Sequence, residues 1–187
     1  MSVSRVIIIS GPPCTGKTTL SKKIAKVFLL PVISCDSIRE SLYDSFGCFD
    51  LTMFEKIRTA SFLLMYDNLE SLLSCKYNLV IDSTFWSGKS RVKIEKLQKL
   101  RKFKCLQINL GASGKILWDR YQERTLSGHR HPGYLDHLRR KELKRKITKG
   151  FSTPPKTKGK IIKIDTTDFK KIEYKKLLKI IKLFLTV

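Results

Sequence analysis

The chain has 187 residues, 42% of them apolar, enough for one compact domain with a hydrophobic core and too many for wholesale disorder. Its 38 basic and 16 acidic residues give a net charge of +22. Such a field draws in polyphosphates, nucleic acid or an anionic surface, and a lysine-biased composition without functional cause produces it equally well. Cys14, Cys35, Cys48, Cys75 and Cys105 are scattered with no CxxC pair, which argues against a disulfide framework or structural zinc and suits a reducing, cytoplasmic setting. The apolar run before the first glycine is too short for a signal-peptide core, and no stretch is long enough to enter a membrane.

Taken in order, Val6–Ile9 is β-branched and reads as a buried parallel strand that runs straight into a glycine loop. Lys17–Leu30 has helical spacing, with Leu20, Ile24, Val27 and Phe28 on one side. Val32–Ser34 is a second short strand, and a helix is expected from Asp36 to Ser41, with a turn near Phe46-Gly47. Leu51–Cys75 reads as one long helix or two abutting ones. Asn78–Asp82 returns to strand and ends in an acid. Ser90–Phe103 is a basic amphipathic helix with Ile94, Leu97 and Leu100 inward. Cys105–Leu110 is a strand and Lys115–Arg124 a helix.

Leu126–Pro132 then reads as a mobile loop, Tyr134–Ile147 as a basic helix and Gly150–Gly159 as a Pro/Lys/Thr linker. A last strand, Ile161–Asp165, and a last helix, Phe169–Phe184, close the chain. The alternation predicts an α/β fold in one domain, residues 1–187, with a parallel sheet covered on both faces. Residues 124–160 are expected to form a lid and linker within it.

Chemistry concentrates at Gly11-Pro12-Pro13-Cys14-Thr15-Gly16-Lys17-Thr18, a phosphate-binding loop placed between a strand and a helix. Its glycines let backbone N–H groups turn inward around oxygens, and the helix start adds partial positive charge. Lys17 should reach the β- and γ-phosphates of ATP, Thr18 should ligate Mg²⁺, and Thr19 should lie beside the nucleotide. Asp82, at the C-terminal edge of its strand, is the natural carboxylate for that magnesium; otherwise it caps a turn.

Asp36 follows the second strand at the same edge and reads either as an acceptor-activating base or as a helix N-cap. Arg39, three residues on, and Arg91, beyond Asp82, are candidate acceptor contacts or surface arginines. Arg120 and Arg124, four apart, followed by Arg130, would supply cations to the transferred phosphoryl group. Phe85 and Trp86 would stack on a planar acceptor or simply pack. His129, His131 and His137 cluster without the further ligands of a zinc site, and His131-Pro132-Gly133 reads as a hinge or substrate contact. Arg139-Arg140-Lys141 with Lys144-Arg145-Lys146 covers a helix, as a solvated face or a polynucleotide contact.

Together Gly11-x-Pro13-x-Thr15-Gly16-Lys17-Thr18-Thr19, Ser34-Cys35-Asp36-Ser37-Ile38-Arg39 and Val80-Ile81-Asp82-Ser83-Thr84-Phe85 with Arg91 resemble the P-loop kinases grouped with polynucleotide kinase, zeta-toxin kinases and the seryl-tRNA kinase. The resemblance spans most of residues 5–131. It implies a P-loop NTPase fold of nucleoside-kinase type, three α/β/α layers around a five-stranded parallel sheet in the order 2-3-1-4-5, with a short arginine-bearing lid. It matches Asp36 to the acceptor-activating aspartate, Asp82 to the magnesium-side acid, and Arg120 or Arg124 to the lid arginine. The Arg130–Gly133 segment is similar to a signature in ATP-binding proteins of that group. The expected activity is transfer of the γ-phosphate of ATP to a hydroxyl, on a small molecule or an RNA or DNA end. The alternatives are a nucleoside monophosphate kinase and an ATP-dependent nucleic-acid-binding or regulatory module. ATP, Mg²⁺ and that acceptor are the expected partners, of a monomer or weak dimer.

Overall fold

The computed structural model describes residues 3–186. With no polar side chain among Val6–Ile9, the strand they form, β1 (Arg5–Ser10), is stable only where both its faces are covered, and all four side chains are fully buried. The remaining elements are α1 (Lys17–Phe28), β2 (Val32–Ser34), α2 (Cys35–Phe46), α3 (Leu51–Ser74), β3 (Leu79–Asp82), α4 (Gly88–Arg101), β4 (Lys104–Gly111), α5 (Gly114–Leu126), α6 (Arg140–Ile147), β5 (Gly159–Asp165) and α7 (Tyr174–Thr186). All strand pairs are parallel, and the sheet order is β2-β3-β1-β4-β5, as the resemblance implies.

Side chains alternate across β1, so one strand feeds two cores. Val6 and Ile8 pack with Met65, Tyr66 and Leu69 of α3 and Ile94 and Leu97 of α4. Ile7 and Ile9 pack with Leu20 and Ile24 of α1 and Leu177 and Ile181 of α7. That division produces the three layers. It also leaves the C-terminal ends of β1, β2 and β3 open along one edge, where phosphate loop, Asp36 and Asp82 emerge.

Several expectations from the sequence give way to geometry. Helix α2 runs on past Ser41 to Phe46, and Leu51–Ser74 is one continuous helix. Val27 and Leu100 keep the helical period but lie beyond the covered stripe, more than half exposed. β5 is an edge strand with its face largely in solvent, so coverage on both faces fails there.

The segment 124–160 differs most. The expected helix over Tyr134–Ile147 is two short 3-10 turns, Pro132–Tyr134 and Asp136–Arg139, followed by α6. Leu135, at φ 48°, is the left-handed break between the turns. His131 caps the first turn, its Nδ1 accepting from the Gly133 N–H at 3.0 Å, and Pro132 takes the first position, where no donor is lost. Tyr134 and Leu135 bury against Tyr43, Phe54 and Ile57, fastening this turn region to α2 and α3. Leu143 and Ile147 of α6 bury against Leu117, Trp118 and Tyr121 of α5.

The Pro/Lys/Thr linker is likewise tied down. Prolines remove donors from the chain, and side chains of the body satisfy what remains. Gln107 Nε2 donates to Pro155 O at 2.9 Å and Thr157 Oγ1 at 2.7 Å, and Asn109 Nδ2 donates to Ser152 O at 3.0 Å. Gln98 both donates to Lys158 O and accepts from its N–H, each at 2.7 Å.

Candidate active site

The loop between β1 and α1 is shaped by positions where a side chain has no room. A Cβ on Gly11, at φ 144°, would lie 2.3 Å from Leu110 O. Gly16, at φ 82°, is the N-cap of α1 and offers no capping side chain, so the first N–H groups of that helix have no side-chain acceptor. Such donors, at the positive end of the helix dipole, form an anion site. Pro12 O accepts from Thr15 Oγ1 at 2.9 Å and from Lys17 Nζ at 2.8 Å, curling the loop over the lysine. Burial pulls the Lys17 pKa below 10.5, against the opposing pull of Asp82 and Asp36. An ammonium kept from water beside two carboxylates is held where a phosphate oxygen would relieve its desolvation.

Thr18 Oγ1 donates to Asp82 Oδ2 at 2.8 Å, and Ser21 Oγ to the same oxygen at 3.5 Å. Asp82 is 3% exposed. Burial raises its pKa above 3.8, partly offset by Lys17 and the Thr18 hydroxyl. A hydroxyl and a carboxylate oxygen in contact, beside a phosphate loop, form a hard-oxygen donor pair that suits magnesium. When bound, that ion would neutralise phosphate charge.

The structure separates the two readings of Asp36. Ser34 is the N-cap of α2, its side chain accepting from the Ser37 N–H at 3.3 Å, so the capping role belongs to Ser34. Asp36 stands in the first turn with its side chain 39% exposed. Arg39 Nη1 lies 3.4 Å from its Oδ1, while Arg39 Nε donates to Ser61 Oγ at 3.3 Å and Nη2 points to Cys35 Sγ at 3.4 Å. Arg39, expected as an acceptor contact, therefore borders the cleft with each guanidinium nitrogen already facing a partner, and it orients Asp36.

Asp36, Lys17 and Thr18 border one cleft of about 500 Å³ that also receives Trp86, Arg124 and Arg130. Arg124 and Arg130 both counter the burial that raises the Cys14 thiol pKa, which places their charge beside the phosphate loop. Arg130 Nε donates to Asp136 Oδ2 at 2.8 Å, and its guanidinium lies 3.4 Å from the Tyr134 ring centroid.

Two arginines and one aromatic depart from expectation. Arg120 donates to Thr166 O at 2.9 Å and Thr167 O at 3.0 Å and stacks on Phe169 at 4.2 Å. The loop after β5 thus holds it where it borders the cleft near Gly16, its guanidinium engaged by those two carbonyls. Arg91 Nη1 donates to the carbonyls of Phe85 and Trp86, at 2.9 and 3.2 Å, bracing the loop after β3. It does not border the cleft. Phe85 is fully buried in the α3–α4 core and unavailable for stacking. His131 Nε2 lies 2.9 Å from Asp44 Oδ1, joining the turn region to α2.

Sequence reasoning missed Glu40, Phe54, Arg58, Phe62, Tyr134 and Phe169, all of which border the cleft. Within the basic run, only Arg139 and Lys146 do so, while Arg140, Lys141, Lys144 and Arg145 are exposed. Seven residues apart, those two share one helical face, a spacing that was available in the sequence.

The AAA domain family model matches residues 6–148, and the chain belongs to that family. A solved candidate kinase of Chloroflexus aurantiacus J-10-fl superposes with a TM-score of 0.90 at 27% identity, covering 98% of this chain and 99% of that one. The APS kinase of Mycobacterium tuberculosis, solved with AMPPNP and APS, shares the fold over the full length of both chains, with a TM-score of 0.62 at 13% identity. Among curated proteins, cytidylate kinase of Pyrobaculum calidifontis is 43% identical over 51 residues, 27% of each chain. A tRNA dimethylallyltransferase of onion yellows phytoplasma is 43% identical over 53 residues, 28% of this chain and 18% of its own length. The chain thus spans about a quarter or less of these curated relatives. By family it is an AAA-domain protein, and its fold is the one that these solved kinases share.

Proposed function

We propose that the chain transfers the γ-phosphate of ATP to a hydroxyl, with Asp36 receiving the hydroxyl proton. The observation that carries this reading is the common cleft bordered by Lys17, Thr18 and Asp36, with Arg124 and Arg130 beside them. The loop N–H groups and Lys17 would cradle the β- and γ-phosphates, and Thr18 with Asp82 would hold magnesium. Phe169 and Arg120, beside Gly16, offer a flat cationic surface for the base.

The acceptor oxygen forms its bond to the γ-phosphorus as the bond to the bridging β,γ-oxygen breaks, and ADP leaves. Charge gathers on the transferred oxygens, where Lys17, Arg124 and Arg130 would meet it from the cleft wall. Arg39 holds the Asp36 carboxylate, which accepts the proton and is not consumed. Among the described residues no helix is long and apolar enough to cross a membrane.

The test is a transfer screen with γ-labelled ATP across nucleosides, nucleotides, sugars and 5′-hydroxyl RNA. A labelled phosphate ester is the expected product. A labelled anhydride on a nucleotide would assign the phosphate-acceptor alternative, and label released only to water would reject transfer.

A further inference from the structure

Cation-bearing faces from two helices, α3 and α6 with the turn before it, also border the cleft, and none of their residues belongs to the phosphate loop or to the cations set beside it. Phe54, Arg58 and Phe62 recur at intervals of four along α3 and all border the cleft. Arg139, Leu143 and Lys146, at intervals of four and three, border it along α6 and the turn before it. The Arg139 guanidinium lies 4.2 Å from the Phe54 ring centroid, which joins the two faces. Lys146 lies 5.4 Å from the Trp86 ring centroid.

Beyond Arg39 and Arg130, already engaged, these faces present three cationic side chains, Arg58, Arg139 and Lys146, while the acids that border the cleft are Asp36 and Glu40. The other acids stand behind the wall. Glu142 serves both Arg139 and Lys146, Glu55 serves Arg58, and Asp136 serves Arg130 through its Nε alone. Stacking on Phe54 and Tyr134 fixes the guanidinium planes of Arg139 and Arg130 without consuming their N–H groups. Guanidinium groups set over rings, with N–H groups beyond the one each gives to Asp136 or Glu142, are arranged to grip an oxyanion. Phe54, Phe62, Trp86 and Leu143 would meanwhile dislike a small, fully hydrated polyol.

Resting on the transfer reading above, we infer that the acceptor carries a phosphate or carboxylate as well as its hydroxyl, on a planar or apolar body. Arg58, Arg139 and Lys146 hold the anion, and Phe54 and Phe62 face the body. Cationic acceptors and uncharged sugars are disfavoured by the same wall.

The experiment compares matched hydroxyl acceptors: adenosine against its 3′- and 5′-monophosphates, and ribose against ribose 5-phosphate. Phosphorus NMR locates the new group as ester or anhydride. The anionic member of each pair should be favoured in kcat/KM by about tenfold or more, the worth of a charge-assisted hydrogen bond. Arg58→Gln with Arg139→Gln should erase that preference while affinity for the non-hydrolysable analogue AMPPNP persists. Arg58→Gln alone, on a half-exposed side chain, should erode it partly and guards against a folding defect in the double variant.

Calorimetry of adenosine 3′-monophosphate on protein saturated with AMPPNP and magnesium reads the subsite apart from chemistry. Binding that weakens in the double variant supports the inference even if label passes only to water, an outcome that would sink transfer itself. Neutral acceptors used as well as their phosphates, or adenosine 3′-monophosphate binding the double variant as tightly as the parent, would overturn it.

Discussion

The phosphate cradle of the cleft comes from one unbroken stretch, residues 11–19, whereas the acceptor half is gathered from α2, α3, the turn at Pro132–Tyr134 and α6. In the first half, backbone does most of the work: Gly11 and Gly16 set the curve, Pro12 O gathers Thr15 and Lys17, and the α1 N–H groups face outward. In the second half, side chains meet across long sequence separations, as Tyr134 and Glu40 do at 3.2 Å across 94 residues. A site made of backbone leaves a local signature in sequence. A site made of helix faces leaves only periodicities, which a core or a solvated surface also produces.

The sharpest break between the halves is expected at Lys17. Lys17→Ala should reduce transfer by about 10²–10³-fold, the cost of one preorganised electrostatic donor, and weaken ATP binding, with the fold retained. Calorimetry and single-turnover transfer check both, and unchanged turnover would mean that the loop does not hold the reacting phosphates. The acceptor half should respond differently. In Gly133→Ala the new Cβ would lie 2.5 Å from the Tyr43 ring, which must shift. A loss of about 1–3 kcal/mol of stability is expected, the usual cost of overpacking, with a higher KM for acceptor and an unaltered one for ATP. A rise in the KM for ATP instead would mean that the turn region serves the nucleotide.

The smallest effect concerns Asp82, and its sign follows from burial. Because its folded pKa lies above 3.8, the native state binds more protons than the unfolded chain between 3.8 and that raised value. Stability is therefore lost as pH rises through that interval, because the carboxyl must ionise while it stays buried. Without magnesium, Asp82→Asn should gain thermal midpoint over the parent as pH rises from about 4 to 7, while needing more magnesium for activity. A parallel pair of pH profiles would make Asp82 an unperturbed acid.

The sheet, its order and the phosphate loop were legible because β-branched runs, a glycine loop and strand-end acids are local signals. Asp36 was legible only as one of two readings, and Ser34, one residue before the helix, takes the cap that one of them gave to Asp36. Arg120 borders the cleft together with Arg124, as their four-residue spacing on one helix face implies, but its partners were not legible. Sequence could not show that Thr166, Thr167 and Phe169, more than forty residues on, would claim the side chain. The turn region was misread as helix because α6 is periodic, and a single left-handed residue, Leu135, interrupts what precedes it. Arg139 and Lys146 were hidden among cations that do face solvent.

Asp36→Asn separates the two halves most directly. The substitution keeps the shape, and Ser34 keeps the cap, so helix α2 should be undisturbed. Single-turnover transfer to the acceptor found by the screen should fall by about 10²–10⁴-fold, the worth of a positioned general base, with ATP affinity preserved. Transfer at the parental rate would contradict the account and leave Asp36 as a first-turn acid that favours the helix dipole. A matched loss of ATP affinity would move Asp36 to the nucleotide side of the cleft.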